Sequence, residues 1–312
     1  MLFRSFAQDE LLLGSKLRWV GGLRWDNIEP IGSVVSPRTS LLFSPLRDHT
    51  LRISFNRAFR APTVINNHLE ATIVNEVRLP PDGRVYQFPS RAHGNLDLKE
   101  GEVDALEAGY VGAFAERLEV DLSVYRSNFK DGIDLFPASF YSASNPPPGW
   151  PYPPAAVPQN TFPEVFTYRN YGSVGFRGVE VSLRYTAATP WSASANYSYQ
   201  AKPVPKGVRS DEINHPPQNR VNLGLAWNGS PLFASGNLNF VDKGFWADVL
   251  DARYWGPTKA FTQVNASAGV RLYDDRIEVS VLATNLFDAR VQEHVFGDIM
   301  SRKIAGGVRF HF

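Results

Sequence analysis

Between Val264 and Thr284 the chain reads VNASAGVRLYDDRIEVSVLAT. Val264, Ala266, Ala268, Val270 and Leu272 alternate with Asn265, Ser267 and Arg271; beyond the YDD turn, Ile277, Val279, Val281 and Ala283 alternate with Glu278, Ser280 and Thr284. Successive side chains of a strand point to opposite faces, so a period of two gives each segment one apolar face and one polar face. Two such runs joined by a few turn-forming residues are a hairpin.

The same alternation recurs in LRWVGGLRW (Leu17–Trp25), LRISFN (Leu51–Asn56), LEVDLSVY (Leu118–Tyr125) and VEVSLRY (Val179–Tyr185). It continues in WSASANYSY (Trp191–Tyr199), RVNLGLAW (Arg220–Trp227), LFASGNLNF (Leu232–Phe240) and the closing IAGGVRFHF (Ile304–Phe312). About 13 strands can be placed, most near the ~9 to 11 residues that a tilted strand needs to cross a bilayer. Short turns follow Phe43, Phe114, Tyr185, Trp227 and Leu272, whereas long connections run from Arg57 to Asp104, Phe129 to Ser173, Ala201 to Asn219, Val241 to Phe261 and Asn285 to Arg302. Short turns at one rim and long loops at the other describe an up-and-down antiparallel sheet, not a Greek-key sandwich.

Alternation alone also fits a soluble sandwich, with one face packed and one wet. The make-up of the apolar face favours a membrane: small residues stand mid-strand, and Trp19, Phe114, Trp191, Trp227, Leu272 and Phe312 collect at the short-turn end. Aromatic rings concentrate at bilayer interfaces, where an amphipathic ring meets headgroups. On this parity Arg52, Glu107, Glu119, Asp121, Glu180, Arg184, Arg271, Glu278 and Arg309 all belong to the polar face. The expected fold is all-β, an antiparallel up-and-down transmembrane β-barrel.

Composition agrees. The 312 residues include 7 Trp, 12 Tyr and 21 Phe, and no window approaches the ~18 apolar residues of a membrane-spanning helix. No cysteine is present, which excludes thiol catalysis and cysteine-based zinc sites. A net charge of +1 carries no general argument for nucleic acid as a partner. The N-terminal MLFRSFAQDELLLGSK is interrupted by Arg4, Gln8, Asp9 and Glu10 and does not read as a signal peptide.

Several motifs, in order, resemble the barrel of TonB-dependent outer-membrane receptors: VSPRTSLLF, NRAFRAPT (Asn56–Thr63), GNLDLKEGEVDALEAGY (Gly94–Tyr110), the YGSVGFRGVEVSL run, HPPQNRVNL, TNLFDARV and the terminal strand. Leu96, Gly101 and Val291 depart from the residues usual at those positions. The resemblance implies a bacterial outer-membrane location among outer-membrane lipid, a barrel of about 22 strands around a plug domain, and a TonB system that drives uptake. Residues 1–312 would then be the C-terminal part of the barrel domain without a plug, one that does not insert and transport alone. The implied cargo is a solute such as a siderophore, cobalamin or a saccharide. The alternative is a plug-less porin-like or adhesin barrel.

Ligand capture is expected in the long loops. DKGFWADVLDARYWGPTKAF (Asp242–Phe261) mixes the rings of Phe245, Trp246, Tyr254 and Trp255 with the charges of Asp251 and Arg253, a combination suited to a mid-sized polar ligand. The proline-rich NPPPGWPYPPAAVP (Asn145–Pro158) is expected to be a stiff extended loop presenting Trp150 and Tyr152. The six His are scattered without metal-ligand spacing, so neither a metal nor a cofactor is expected. No nucleophile elbow, phosphate loop or dinucleotide fingerprint occurs, and Ser127–Lys130 matches a Ser-x-x-Lys pattern without its companion motifs. No catalytic residue is assigned.

Overall fold

The structure is a computed structural model that describes residues 2–81, 83–187, 190–247 and 254–311. Of the positions singled out above, Asp251, Arg253 and Phe312 lie outside the described residues.

The strands of the N-terminal half are β1 (Leu2–Leu13), β2 (Leu17–Ile28), β3 (Gly32–Leu46), β4 (His49–Arg60), β5 (Glu70–Leu79), β6 (Arg84–His93), β7 (Gly101–Phe114), β8 (Leu118–Phe140) and β9 (Pro163–Thr186). The rest are β10 (Trp191–Gln200), β11 (Val204–Lys206), β12 (Asn219–Asn228), β13 (Leu232–Val241), β14 (Gly244–Trp246), β15 (Gly256–Thr258), β16 (Phe261–Leu272), β17 (Ile277–Thr284) and β18 (Lys303–Phe310). One helical turn, α1 (Val64–His68), follows β4. The main sheet runs β1–β2–β3–β4–β7–β8–β9–β10–β12–β13–β16–β17–β18, with every neighbour on that path antiparallel. The segment that does not read as a signal peptide is the first strand of this sheet.

Registers sort the side chains into two faces. Cross-strand partners lie on the same face, and one continuous row links Ile53, Ala108, Val124, Val179, Tyr199 and Asn219. A row nearer the short turns links Trp191 with Trp227 and Ala234. Among the described residues no second layer covers this apolar face: Leu223 is 45% exposed and Val279 40% exposed. A soluble sandwich would bury these residues in a dry core, so their exposure excludes it. The polar face carries all nine charged residues assigned to it from the sequence, and several pair across strands. Arg52 meets Glu107, Arg184 meets Glu119 at 3.1 Å, and Arg271 and Arg309 both approach Glu278 at 3.8 Å.

Two features differ from the sequence expectation. The β2–β3 connection, at residues 29–31, is short although it lies at the long-loop end. The segment between Phe129 and Ser173 is not all loop, because β8 and β9 extend to 23 and 24 residues. Their far halves break the alternation: apolar Phe129, Val174 and Phe176 stand on the polar-face parity, while Arg126, Lys130 and Arg177 stand on the other. Beyond the hydrocarbon both faces meet headgroups, water or protein, so the hydrocarbon pattern no longer constrains them.

Candidate functional site

The long-loop end carries two packed structures. In the first, hairpin β5–β6 is closed by the proline-rich loop. Leu79, Tyr86, Phe88, Tyr141, Val157 and Phe162 form a buried cluster, with Val77, Trp150 and Tyr152 packed against it. The Trp150 ring lies 5.5 Å from Tyr86, 5.3 Å from Phe162 and 5.5 Å from Tyr152, all in edge or tilted arrangements that suit ring quadrupoles. Buried hydroxyls find carbonyls: Tyr86 donates to Pro148 at 2.8 Å and Tyr141 to Pro89 at 2.8 Å. Prolines lack N–H groups but offer carbonyl acceptors, and a proline-rich cover can satisfy tyrosines this way. Trp150 and Tyr152 therefore help to hold the loop down.

In the second, three long connections meet. His215 and Phe245 form a β-bridge, and the Asn214 side chain accepts from the Ala247 amide at 2.7 Å, tying the β10–β12 loop to the β13–β16 loop. Trp246 pairs with Gly256 across β14 and β15, and its ring lies 5.0 Å from His294. Tyr254 lies 5.3 Å from Phe296. Trp246 and Tyr254 thus reach the β17–β18 connection, whereas Trp255 turns toward a cavity.

That cavity, about 630 Å³ in volume, is lined by Phe129, Phe136, Phe176, Tyr171, Trp255 and others, with Asp134, Glu212 and Asn214 supplying the polar groups. Phe129, Val174 and Phe176 stand on the polar-face parity and Asp134 and Tyr171 on the other, so the cavity sits at the loop end of β8 and β9 with walls drawn from both parities. Apolar walls with a few polar groups are the usual make-up of a ligand site. Asp134 keeps contact with solvent, yet burial raises its carboxyl above the ordinary 3.8, opposed by a hydrogen bond from the Leu135 amide. Burial likewise raises the Tyr171 phenol, and the Asp134 charge adds to it. Arg169 stacks over Phe136 at 5.5 Å and donates to the Pro137 carbonyl at 2.9 Å, stiffening the rim.

The structure therefore brings Phe245, Trp246, Tyr254 and Trp255 into one loop cluster and places Trp150 and Tyr152 in the other. Sequence reasoning missed Asp134, Tyr171 and Phe176. A signal was present: the carboxylate of Asp134 sits inside the aromatic run from Phe129 to Phe140, where a solvated loop would need no such rings. Among the described residues, no three His, Asp or Glu side chains are placed to hold a metal ion.

Residues 3–286 match the family model described as "TonB dependent receptor-like, beta-barrel". No curated protein sequence matches the chain. Among solved structures, a mutant of the ferric enterobactin receptor PfeA from Pseudomonas aeruginosa, in complex with enterobactin, is similar at 18% identity with a TM-score of 0.74 over 98% of this chain and 45% of that one. The siderophore receptor PirA from Acinetobacter baumannii gives 17% identity and a TM-score of 0.74, covering 100% of this chain and 46% of that one. The FrpB iron transporter from Neisseria meningitidis gives 16% identity and a TM-score of 0.66, covering 98% and 44%. At these identities the likeness shows the fold, and the chain spans less than half the length of each of these structures.

Proposed function

Because the chain belongs to the TonB-dependent receptor β-barrel family of Gram-negative outer-membrane proteins, we propose that it supplies the C-terminal strands and capture loops of a receptor for a solute too large for porins. On this reading the sheet is part of a plugged barrel of about 22 strands. Its apolar face meets lipid and its polar face meets the plug and a wet lumen. The remaining strands, the plug and the energising TonB system come from outside residues 1–312. A small closed barrel would join β1 to β18, whereas these strands are the two ends of the sheet path. That arrangement favours the receptor over a porin-like or adhesin barrel.

The observation that carries the reading is the cavity beneath the β10–β12 and β13–β16 loops, on the side where solute would enter the lumen. The iron and siderophore receptors of similar fold make an iron chelate the first cargo to test. Capture there requires neither covalent chemistry nor a resident cofactor. Flat rings cover the ligand's apolar surface, and Asp134, Glu212 and Asn214 orient its polar groups. Truncating Phe176 or Trp255 to Ala in the full-length receptor should weaken binding of a transported ferric chelate by ~10-fold or more, since each removes a ring worth over ~1.4 kcal/mol of contact. Tryptophan-fluorescence titration measures it, with radiolabelled iron uptake as the second readout. Unchanged affinity in both variants would move the capture site elsewhere.

A further inference from the structure

Three rows of cross-strand partners cap the lipid-facing side of β4, β7, β8 and β9. The lowest joins Phe55, Leu106, Arg126, Arg177 and Ala201, and the next joins Arg57, Asp104, Asn128 and Gly175. The third joins Phe59, Glu102, Lys130, Ser173 and Lys206. Both carboxylates are already engaged. Asp104 accepts from Arg57 at 2.6 Å and from Lys130 at 2.7 Å, and Glu102 lies 3.9 Å from Arg57. Arg126 and Arg177 stand directly opposite each other, both exposed, and neither has an ion pair or a side-chain hydrogen bond among the described residues.

Two like charges facing each other across ~4.5 to 5.5 Å of sheet are unfavourable unless an anion sits between them. Their position limits what that anion can be. Immediately below them, Val124, Val179 and Tyr199 begin the apolar band, so a molecule bridging the two guanidinium groups lies with its other end along hydrocarbon-facing surface. A phosphate carries acceptor oxygens that match the fork of each guanidinium, and two arginines from adjacent strands can hold one phosphate from both sides.

We propose that Arg126 and Arg177 form a binding site for the phosphate headgroup of an outer-leaflet lipid, with its acyl chains lying on Val124, Val179 and Tyr199. This rests on the membrane reading above. The site fixes the depth of this sector and anchors the stalk of β8 and β9 that carries one wall of the cavity.

The test uses the full-length receptor carrying this segment, stripped of lipid in detergent and titrated with diphosphoryl lipid A, its dephosphorylated counterpart or inorganic phosphate, with bound species counted by native mass spectrometry. The diphosphoryl lipid should bind about tenfold more tightly than the dephosphorylated one. Arg126→Ala with Arg177→Ala should erase that preference, and Arg126→Lys with Arg177→Lys should keep most of it. Equal binding of the two lipids to the unmutated receptor overturns the proposal, as does a preference that survives the double alanine variant. Inorganic phosphate binding as tightly as the lipid would make this an ion site and equally end the lipid assignment. Heat-modifiable migration of the same samples reports the barrel separately: an intact barrel without phosphate preference defeats this inference alone, whereas no barrel defeats the membrane reading.

Discussion

Asp134 and Trp150 show how single side chains set the loop end. Burial favours the neutral form of Asp134, so its folded-state pKa lies above the unfolded value and the native state binds the proton more tightly. With more protons bound in the native state, stability falls as pH rises from the unfolded value of ~3.9 through the folded one. Asp134→Asn should therefore raise the thermal midpoint of the receptor at neutral pH, with the gain shrinking toward zero near pH ~3, where both states are protonated. A gain independent of pH would contradict the assignment. Trp150→Ala removes a half-buried ring from among Tyr86, Tyr152 and Phe162 and should cost ~1 to 3 kcal/mol locally. The expected readout is faster proteolytic nicking within Asn145–Pro158 and faster amide exchange in β5 and β6, with the main sheet unaffected. Asn285 explains why its motif takes the form it does. Its backbone holds φ 53, and its buried amide donates to the Ala289 and Met300 carbonyls at 2.8 and 3.0 Å while accepting from the Ala289 amide at 2.9 Å. Asn tolerates left-handed backbone and offers both donors and an acceptor.

At the scale of the strand, the governing quantity is which face a side chain occupies. Leu223 and Asn222 are neighbours on β12, yet Leu223 lies between Ala195 and Leu238 on the apolar face, and Asn222 lies between Asn196 and Asn239 on the polar one. Leu223→Arg should cost ~2 to 4 kcal/mol of barrel stability, whereas Asn222→Arg should cost little. Equilibrium unfolding in urea with lipid vesicles, or assembled yield in outer membranes, separates the two; equal losses would refute the facing. These strands were legible in the sequence because hydrocarbon on one side and water on the other impose a strict period of two. The outer parts of β8 and β9 were not, because past the apolar band nothing enforces alternation and Phe129, Val174 and Phe176 answer to loop packing instead. The cavity was illegible for a related reason. Its walls come from segments as distant as Phe129 and Trp255, and no local pattern records that meeting.

For the whole molecule, one continuous sheet presents an apolar face to lipid and a polar face on its other side, and a cavity lies at its long-loop end. The order of motifs made the family legible, since each marks a strand end or turn whose geometry needs particular residues, as Asn285 shows. The cargo was not legible, because the loops that would recognise it share no periodic constraint. Residues 1–312 contain no cysteine, so a cysteine introduced into them is unique within this segment, and any cysteine elsewhere in the receptor is replaced by serine for the test of sidedness. The measurement is spin-label accessibility at single cysteines placed at Val120, Leu223 and Val279, and separately at Asp121, Asn222 and Glu278, in the full-length receptor in outer-membrane vesicles. The first three labels should collide preferentially with lipid-dissolved oxygen and the second three with a water-soluble nickel chelate; labels at Val120, Leu223 and Val279 shielded from both would refute this sidedness.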